Sequence, residues 1–140
     1  MELSQSLEDY LEQIHVLTLN KGVAKVTDIA TALNVKKSSV NSALNSLQDK
    51  KLISYIPYSP ITLTEKGEKY AKDILKKHNL ISNFFQNILF VNEKEALDVA
   101  CKVEHVISND ISIRLNKFSK FIQSYSKENE NFKEEINRLF

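Results

Sequence analysis

The sequence predicts a mainly α-helical chain with a helix-turn-helix and a β-hairpin wing set into it. Three observations lead there. Glycine and proline number only two each among 140 residues, and three of those four lie between Pro57 and Gly67, so most of the chain is free of helix breakers. Two short apolar-periodic segments, residues 26–33 and 38–47, flank the tight turn Asn34-Val35-Lys36, and two short helices joined by such a turn form a helix-turn-helix. Directly after them, residues 52–56 and 61–64 alternate β-branched and aromatic side chains around Pro57-Tyr58-Ser59-Pro60, which reads as a hairpin.

Taken in order, residues 5–20 place Leu7, Leu11, Ile14 and Leu17 at helical spacing. Ser6 with Asp9 is the start signal, and Asn20-Lys21-Gly22 the stop. The second segment is expected to be capped by Thr27 or Asp28 and to turn Ile29, Ala30 and Leu33 inward. Asn34 suits a left-handed backbone. The third helix buries Val40, Ala43, Leu44 and Leu47. Thr64-Glu65-Lys66-Gly67 opens a long helix to about Phe90, with Tyr70, Ala71, Ile74, Leu75, His78, Ile81 and Phe85 on its inner side. Asn92 caps a helix over 93–107 carrying Ala96, Val99, Ala100, Val103 and Val106. Ser108-Asn109-Asp110 starts the next, with Ile111, Ile113, Leu115, Phe118 and Ile122. Residues 125–140 form either a closing helix or a frayed end.

Composition narrows the class. At 42% hydrophobic and 26% charged, the chain can bury a core. It has no apolar run of membrane-spanning length and opens acidic and polar, so a cytoplasmic protein without membrane attachment is expected. A single cysteine excludes an internal disulfide framework. Net charge is only +1, yet Lys21, Lys25, Lys36, Lys37, Lys50 and Lys51 face only Asp28 and Asp49 between them, a local +4.

That local charge surrounds the second helix of the helix-turn-helix. Lys36, Lys37, Ser38, Ser39, Asn41, Ser42 and Asn45 stand at its start and outer face. Such helices use their N-terminal residues to touch bases and phosphates, and asparagine can pair with the adenine edge. The competing account is a solvated Ser/Asn/Lys face. The hairpin and the basic surroundings favour double-stranded DNA.

A second constellation lies near the other end. In a helix over 93–107, Cys101, Glu104 and His105 fall at i, i+3 and i+4 on one face, a thiol, a carboxyl and an imidazole suited to a transition metal. Asp9 and Glu12 on the first helix could add oxygen ligands, and His78 an imidazole. Each has an ordinary alternative: acids balancing a helix dipole, a small buried cysteine, a basic surface run Lys76-Lys77-His78. His15 is expected in the core or on the surface. The metal site is expected to set the posture of the DNA-binding unit.

Together, Ser6-Leu7-Glu8-Asp9-Tyr10-Leu11-Glu12-Gln13-Ile14, Thr27-Asp28-Ile29-Ala30, Asn34-Val35, Ser38-Ser39-Val40, Leu63-Thr64-Glu65-Lys66-Gly67, His78 and Glu104-His105-Val106-Ile107-Ser108 resemble the diphtheria toxin repressor family, over about residues 5–115. The resemblance implies a winged helix-turn-helix DNA-binding domain (1–73) followed by a helical metal-binding and dimerisation domain (74–140). It implies a homodimer that binds operator DNA when loaded with Fe(II) or Mn(II), repressing metal-uptake genes, in the short, manganese-regulator-like architecture.

Asp9, Glu12, His78, Glu104 and His105 match the manganese branch. Cys101 stands where that branch has glutamate and the iron branch cysteine, whereas the iron branch has methionine at the position of Asp9. Ser82 and Leu97 replace that branch's ancillary acid and histidine. A thiolate is a softer ligand than a bridging carboxylate. A primary site of Asp9, Cys101, Glu104 and His105 is therefore expected, with Glu12 and His78 ancillary or in a second site, and Fe(II) ahead of Mn(II). Lys37 stands where the family often has proline, and Ser59-Pro60 replaces a basic-Gly wing turn. The rival readings are a winged-helix regulator with a decayed or differently tuned metal site and a metal-dependent hydrolase; the latter lacks an evident acid–base pair.

Overall fold

The computed structural model describes residues 2–140, which fall into a first compact unit reaching to Leu75 and a second, Lys76–Phe140.

In the first unit, α1 (Gln5–Lys21), α2 (Val26–Leu33) and α3 (Lys37–Asp49) precede two short strands, β1 (Ile53–Ser54) and β2 (Thr62–Leu63), and the beginning of α4 (Glu65–Asn87). The periodicity read from the sequence builds the core: Leu11, Ile14, Ile29, Val40, Leu44, Leu47, Leu52 and Ile61 are all shielded from solvent. Helix α1 stops at Gly22, whose left-handed φ of 79° costs glycine nothing and whose N–H reaches the Thr18 carbonyl. Asn34 closes α2 in the left-handed region as expected.

Local differences from the expected pattern have local causes. The cap of α1 is Ser4, whose hydroxyl accepts from the Leu7 N–H, so Ser6 lies within the first turn. Neither Thr27 nor Asp28 caps α2. Lys25 holds that position without a side-chain bond, its carbonyl accepting from the Ile29 N–H, so Thr27 and Asp28 lie within the first turn, where Asp28 meets the Lys21 ammonium at 3.2 Å. The hairpin is only two residues per strand, pairing Ile53 with Leu63 and Ser54 with Thr62, and a further bridge joins Ile61 to Ala24. Pairing ends there because Ile56–Ser59 closes as a turn, the Ser59 N–H donating to the Ile56 carbonyl.

Thr64 ties the hairpin to α4. Its N–H donates to the Leu52 carbonyl, its hydroxyl donates to the Lys51 carbonyl, and the same oxygen accepts from the Gly67 N–H. Gly67 fits only as glycine: a Cβ there would lie 1.8 Å from the Leu52 carbonyl oxygen. Further along α4, Tyr70 donates to Glu8 at 2.8 Å and accepts from the Leu3 N–H, fastening the helix to the start of the chain.

The second unit contains the rest of α4, then α5 (Glu93–Val103), α6 (Asn109–Glu128) and α7 (Glu130–Leu139). Asn92 and Ser108 cap α5 and α6 as their sequences predict, each accepting from the N–H three residues on. Ile81, Ile88, Ala96 and Ala100 are buried, as are Ser82, Ser112 and Ser119, whose hydroxyls bond to carbonyls of their own helices. Helix α5 ends at Val103, four residues short of the expected 107. The chain turns there through N–H bonds from Val106 and Ile107 to the Val103 carbonyl, and the Lys77 ammonium binds the Ile107 carbonyl. Val106 is accordingly 79% exposed rather than facing inward.

The alternative left open for the tail resolves in favour of helix. Asn129 caps α7, and Phe132 packs edge-on against Tyr125. Ile111, Ile113, Phe118, Phe121 and Tyr125 leave an apolar surface exposed along α6.

Candidate metal centre and nucleic-acid interface

Every residue expected to meet DNA is exposed at the start or outer face of α3: Lys36 as its cap, then Lys37, Ser38, Ser39, Asn41, Ser42 and Asn45. Val40, Ala43, Leu44 and Leu47 anchor the opposite face, so burying them is what presents the polar one. The Ser42 hydroxyl donates to the Ser38 carbonyl at 3.1 Å. Its oxygen is left as an acceptor, which makes it a poorer donor to a base than Asn41 or Asn45.

Between α3 and the hairpin lies a cleft of about 640 Å³, with Lys37, Asn41 and Asn45 on one wall and Tyr55, Pro57 and Tyr58 on the other. Lys25 and Thr27 also line it. Lys25 belongs to the local positive charge that the sequence shows, but nothing in the residue pattern marks Tyr55 or Tyr58 as members of this cleft; only the hairpin's return brings them opposite α3.

The second unit gathers His78, Cys101, Glu104 and His105. His78 comes from α4, Cys101 from the last turn of α5, and Glu104 and His105 from the turn that ends α5. Glu104 keeps right-handed helical geometry, so the one-face spacing from Cys101 survives although the helix is shorter. Its carboxylate is almost wholly buried. One oxygen lies 2.7 Å from His78 Nδ1 and the other 3.3 Å from His105 Nε2. Cys101 Sγ lies 3.8 Å from the same His78 nitrogen, and the thiol is at the exposed edge of the group.

Glu104 thus carries one imidazole on each of its oxygens, with the thiol beside His78, and donors of these types suit a divalent transition metal. Removing a carboxylate this deeply from water is costly unless a cation or donors face both oxygens, and here both face imidazoles. Asp9 and Glu12, the remaining expected ligands, belong to the first unit. They lie three residues apart on α1, both half-buried. His15, one turn further on, is buried in that unit.

A winged helix-turn-helix followed by a helical unit holding a metal-type donor cluster defines a metal-responsive DNA-binding regulator. Comparison with known proteins agrees at both ends of the chain. Residues 2–61 match the family described as iron dependent repressor, N-terminal DNA binding domain, and residues 64–133 match iron dependent repressor, metal binding and dimerisation domain. The chain belongs to this iron-dependent (diphtheria toxin) repressor family.

It is 44% identical over 117 residues to an HTH-type transcriptional regulator of Methanocaldococcus jannaschii, covering 83% of this chain and 94% of that one. It is 38% identical over 103 residues to the HTH-type transcriptional regulator MntR of Bacillus subtilis, covering 74% and 72%. Among solved structures it is similar to T. acidophilum IdeR (28% identity, TM-score 0.72, 84% of this chain) and to the manganese regulator SloR (29%, 0.73, 82%). The chain spans about half the length of each of those two, 54%. It is a metal-dependent transcriptional regulator of the repressor class rather than an enzyme, and its cofactor is a divalent metal. No helix among the described residues is long and apolar enough to cross a membrane.

Proposed function

We propose that this protein is a homodimeric, cytoplasmic repressor of metal-uptake genes, with Fe(II) or Mn(II) as corepressor. The observation that carries the reading is the buried Glu104 carboxylate between His78 and His105, with the Cys101 thiol beside His78. Glu104, His105 and Cys101 are the proposed core of the ligand set. Asp9 is its oxygen donor from α1, and Glu12 and His78 are ancillary or second-site ligands.

A divalent metal, when bound, would supply a fixed positive charge for these donors to share. The chain's own groups decide which metal that is. Carboxylates and imidazoles accept Mn(II) and Fe(II) alike, while the thiolate, once it has lost its proton, is the softer ligand and favours Fe(II). The arrangement competent for DNA would then be selected from those the free protein populates, as Glu104, His105, Cys101 and Asp9 hold a common ion.

The test is DNA affinity measured anaerobically on chelator-stripped protein, with Fe(II) and Mn(II) titrated separately. The duplex is one selected from a random library by the metal-loaded protein. Affinity is expected to rise with both metals, more with Fe(II). In Cys101→Glu the advantage of Fe(II) over Mn(II) should shrink, because a carboxylate replaces the one soft ligand with a hard oxygen. Unchanged affinity at every metal level would remove the metal from the mechanism and leave a DNA-binding protein of another trigger.

A further inference from the structure

The tip of the wing is built in an unusual way. The Ile56–Ser59 turn places Pro57 and Tyr58 at its two central positions, closed by the Ser59 N–H on the Ile56 carbonyl at 3.0 Å. Tyr58 has a φ of 64°, in the left-handed region. At the second central position of a turn that conformation is ordinarily left to glycine or asparagine, and a bulky aromatic adopts it only against a steric penalty. The ring recovers nothing for this within the described residues: Tyr58 is fully exposed, at 105% of its reference area. Pro57 and Pro60 on either side limit how far the turn can relax. A turn needed only to reverse the chain would be more stable with glycine.

The ring's neighbourhood indicates what it meets. Tyr58 lines the cleft whose opposite wall carries Lys37, Asn41 and Asn45, the face of α3 that reads DNA, with Lys25 alongside. The hairpin itself offers no cation: residues 52–63 contain neither lysine nor arginine. A wing without positive charge cannot hold phosphates ionically, yet it stands across the cleft from the exposed face of α3.

We propose that Tyr58 is a DNA-contacting residue that lays its ring against the deoxyribose edge flanking the site read by α3, so that the wing contributes a non-ionic, salt-insensitive contact. The inference rests on the DNA-binding reading. Aromatic rings suit that surface because the sugar edge is apolar and accompanies every base sequence, so the contact adds affinity and register without base preference. The turn sets the direction in which the side chain leaves the backbone, so the ring is presented outward before DNA arrives.

The experiment compares wild type with Tyr58→Gly and Tyr58→Phe on the library-selected duplex, with metal saturating. Glycine suits the left-handed position, so that variant keeps the turn and removes only the ring; thermal unfolding of each variant checks this. Tyr58→Gly is expected to lose about tenfold in affinity at about 0.15 M salt, with the slope of log affinity against log salt unchanged. Tyr58→Phe should bind as wild type does. Hydroxyl-radical footprinting, which reads deoxyribose exposure, should show Tyr58→Gly losing protection at the flanking sugars while keeping it at the centre. Wild-type affinity and an intact footprint in Tyr58→Gly would overturn the proposal, as would a Tyr58→Phe as weak as Tyr58→Gly. Failure of wild-type protein to bind any duplex would strike instead at the DNA-binding reading.

Discussion

At Gly67 the sequence has no freedom. The first turn of α4 passes against the backbone of Leu52, and the carbonyl that a Cβ would strike is itself held by the Thr64 N–H, so it cannot swing away. Gly67→Ala, which on helix propensity alone would stabilise α4, is therefore expected to cost about 1–3 kcal/mol as a steric insertion. That lowers Tm by several degrees, whereas Lys66→Ala at the exposed neighbouring position should leave it nearly unchanged; equal Tm values for the two would contradict the packing argument. His15 carries a different signature. Burial holds its imidazole below the usual histidine range; Glu68 opposes this and Lys72 reinforces it. As pH falls, the unfolded chain takes up the proton first. The stability linked to His15 is thus fully present above about pH 6.5 and declines as pH drops through the lowered folded value. In chelator-treated protein, His15→Leu should show a smaller loss of unfolding free energy between about pH 7.5 and 5.5 than wild type. An identical pH slope in the two proteins would mean that His15 charges as readily folded as unfolded.

On the proposed DNA-binding reading, helix α3 separates two kinds of contact by position. Lys37 stands at its first turn, where an ammonium would meet phosphate, and Asn41 one turn on, where an amide would meet a base edge. Lys37→Ala should weaken binding to all duplexes alike and reduce the salt slope by about 0.9 for each phosphate that is no longer neutralised. Asn41→Ala should keep the slope and relax preference at one base position; a change of slope in Asn41→Ala would reverse the assignment. Elements of this kind were legible in the chain because a helix burying one face must repeat its apolar residues, as Leu11, Ile14 and Leu17 or Val40, Ala43, Leu44 and Leu47 do. What periodicity does not give is where pairing or helix stops. Alternation suggests strands of four or five residues, but the turn at Ile56 cuts them to two. The apolar run through Val106 and Ile107 suggests a longer α5, but Val103 accepts two turn bonds and ends it. The metal-type cluster was legible from spacing alone, since Cys101 and Glu104 lie one turn apart. The placing of Glu104 between two histidines was not, because His78 arrives from a helix twenty-six residues earlier in the chain. Tyr58 left no signal, since its meaning lies in a backbone angle.

For the molecule as a whole, the metal and DNA must act through a shared equilibrium, and that has a consequence independent of any single interaction. If loading the Glu104 cluster raises DNA affinity by some factor, saturating DNA must raise metal affinity by the same factor, because both ligands draw on one free-energy difference between states. Couplings of this kind run at about 1–3 kcal/mol, or about 5–150-fold. The measurement is a competition titration of Mn(II) against a chromophoric chelator, with and without saturating selected duplex, set beside the DNA titration with and without Mn(II). Equal factors are expected. Glu104→Gln should abolish both together, since it removes the charge at the centre of the ligand set while leaving α3 and the wing untouched. Metal also supports the dimer if its helices carry the seam, and that route leaves a different trace. A metal that acts only by joining two copies through surfaces such as the apolar side of α6 gives a DNA affinity whose metal dependence disappears once the protein concentration exceeds the metal-free dimer constant. A coupling factor that persists at every protein concentration assigns the switch to the conformation of each subunit; one that vanishes at high concentration assigns it to assembly.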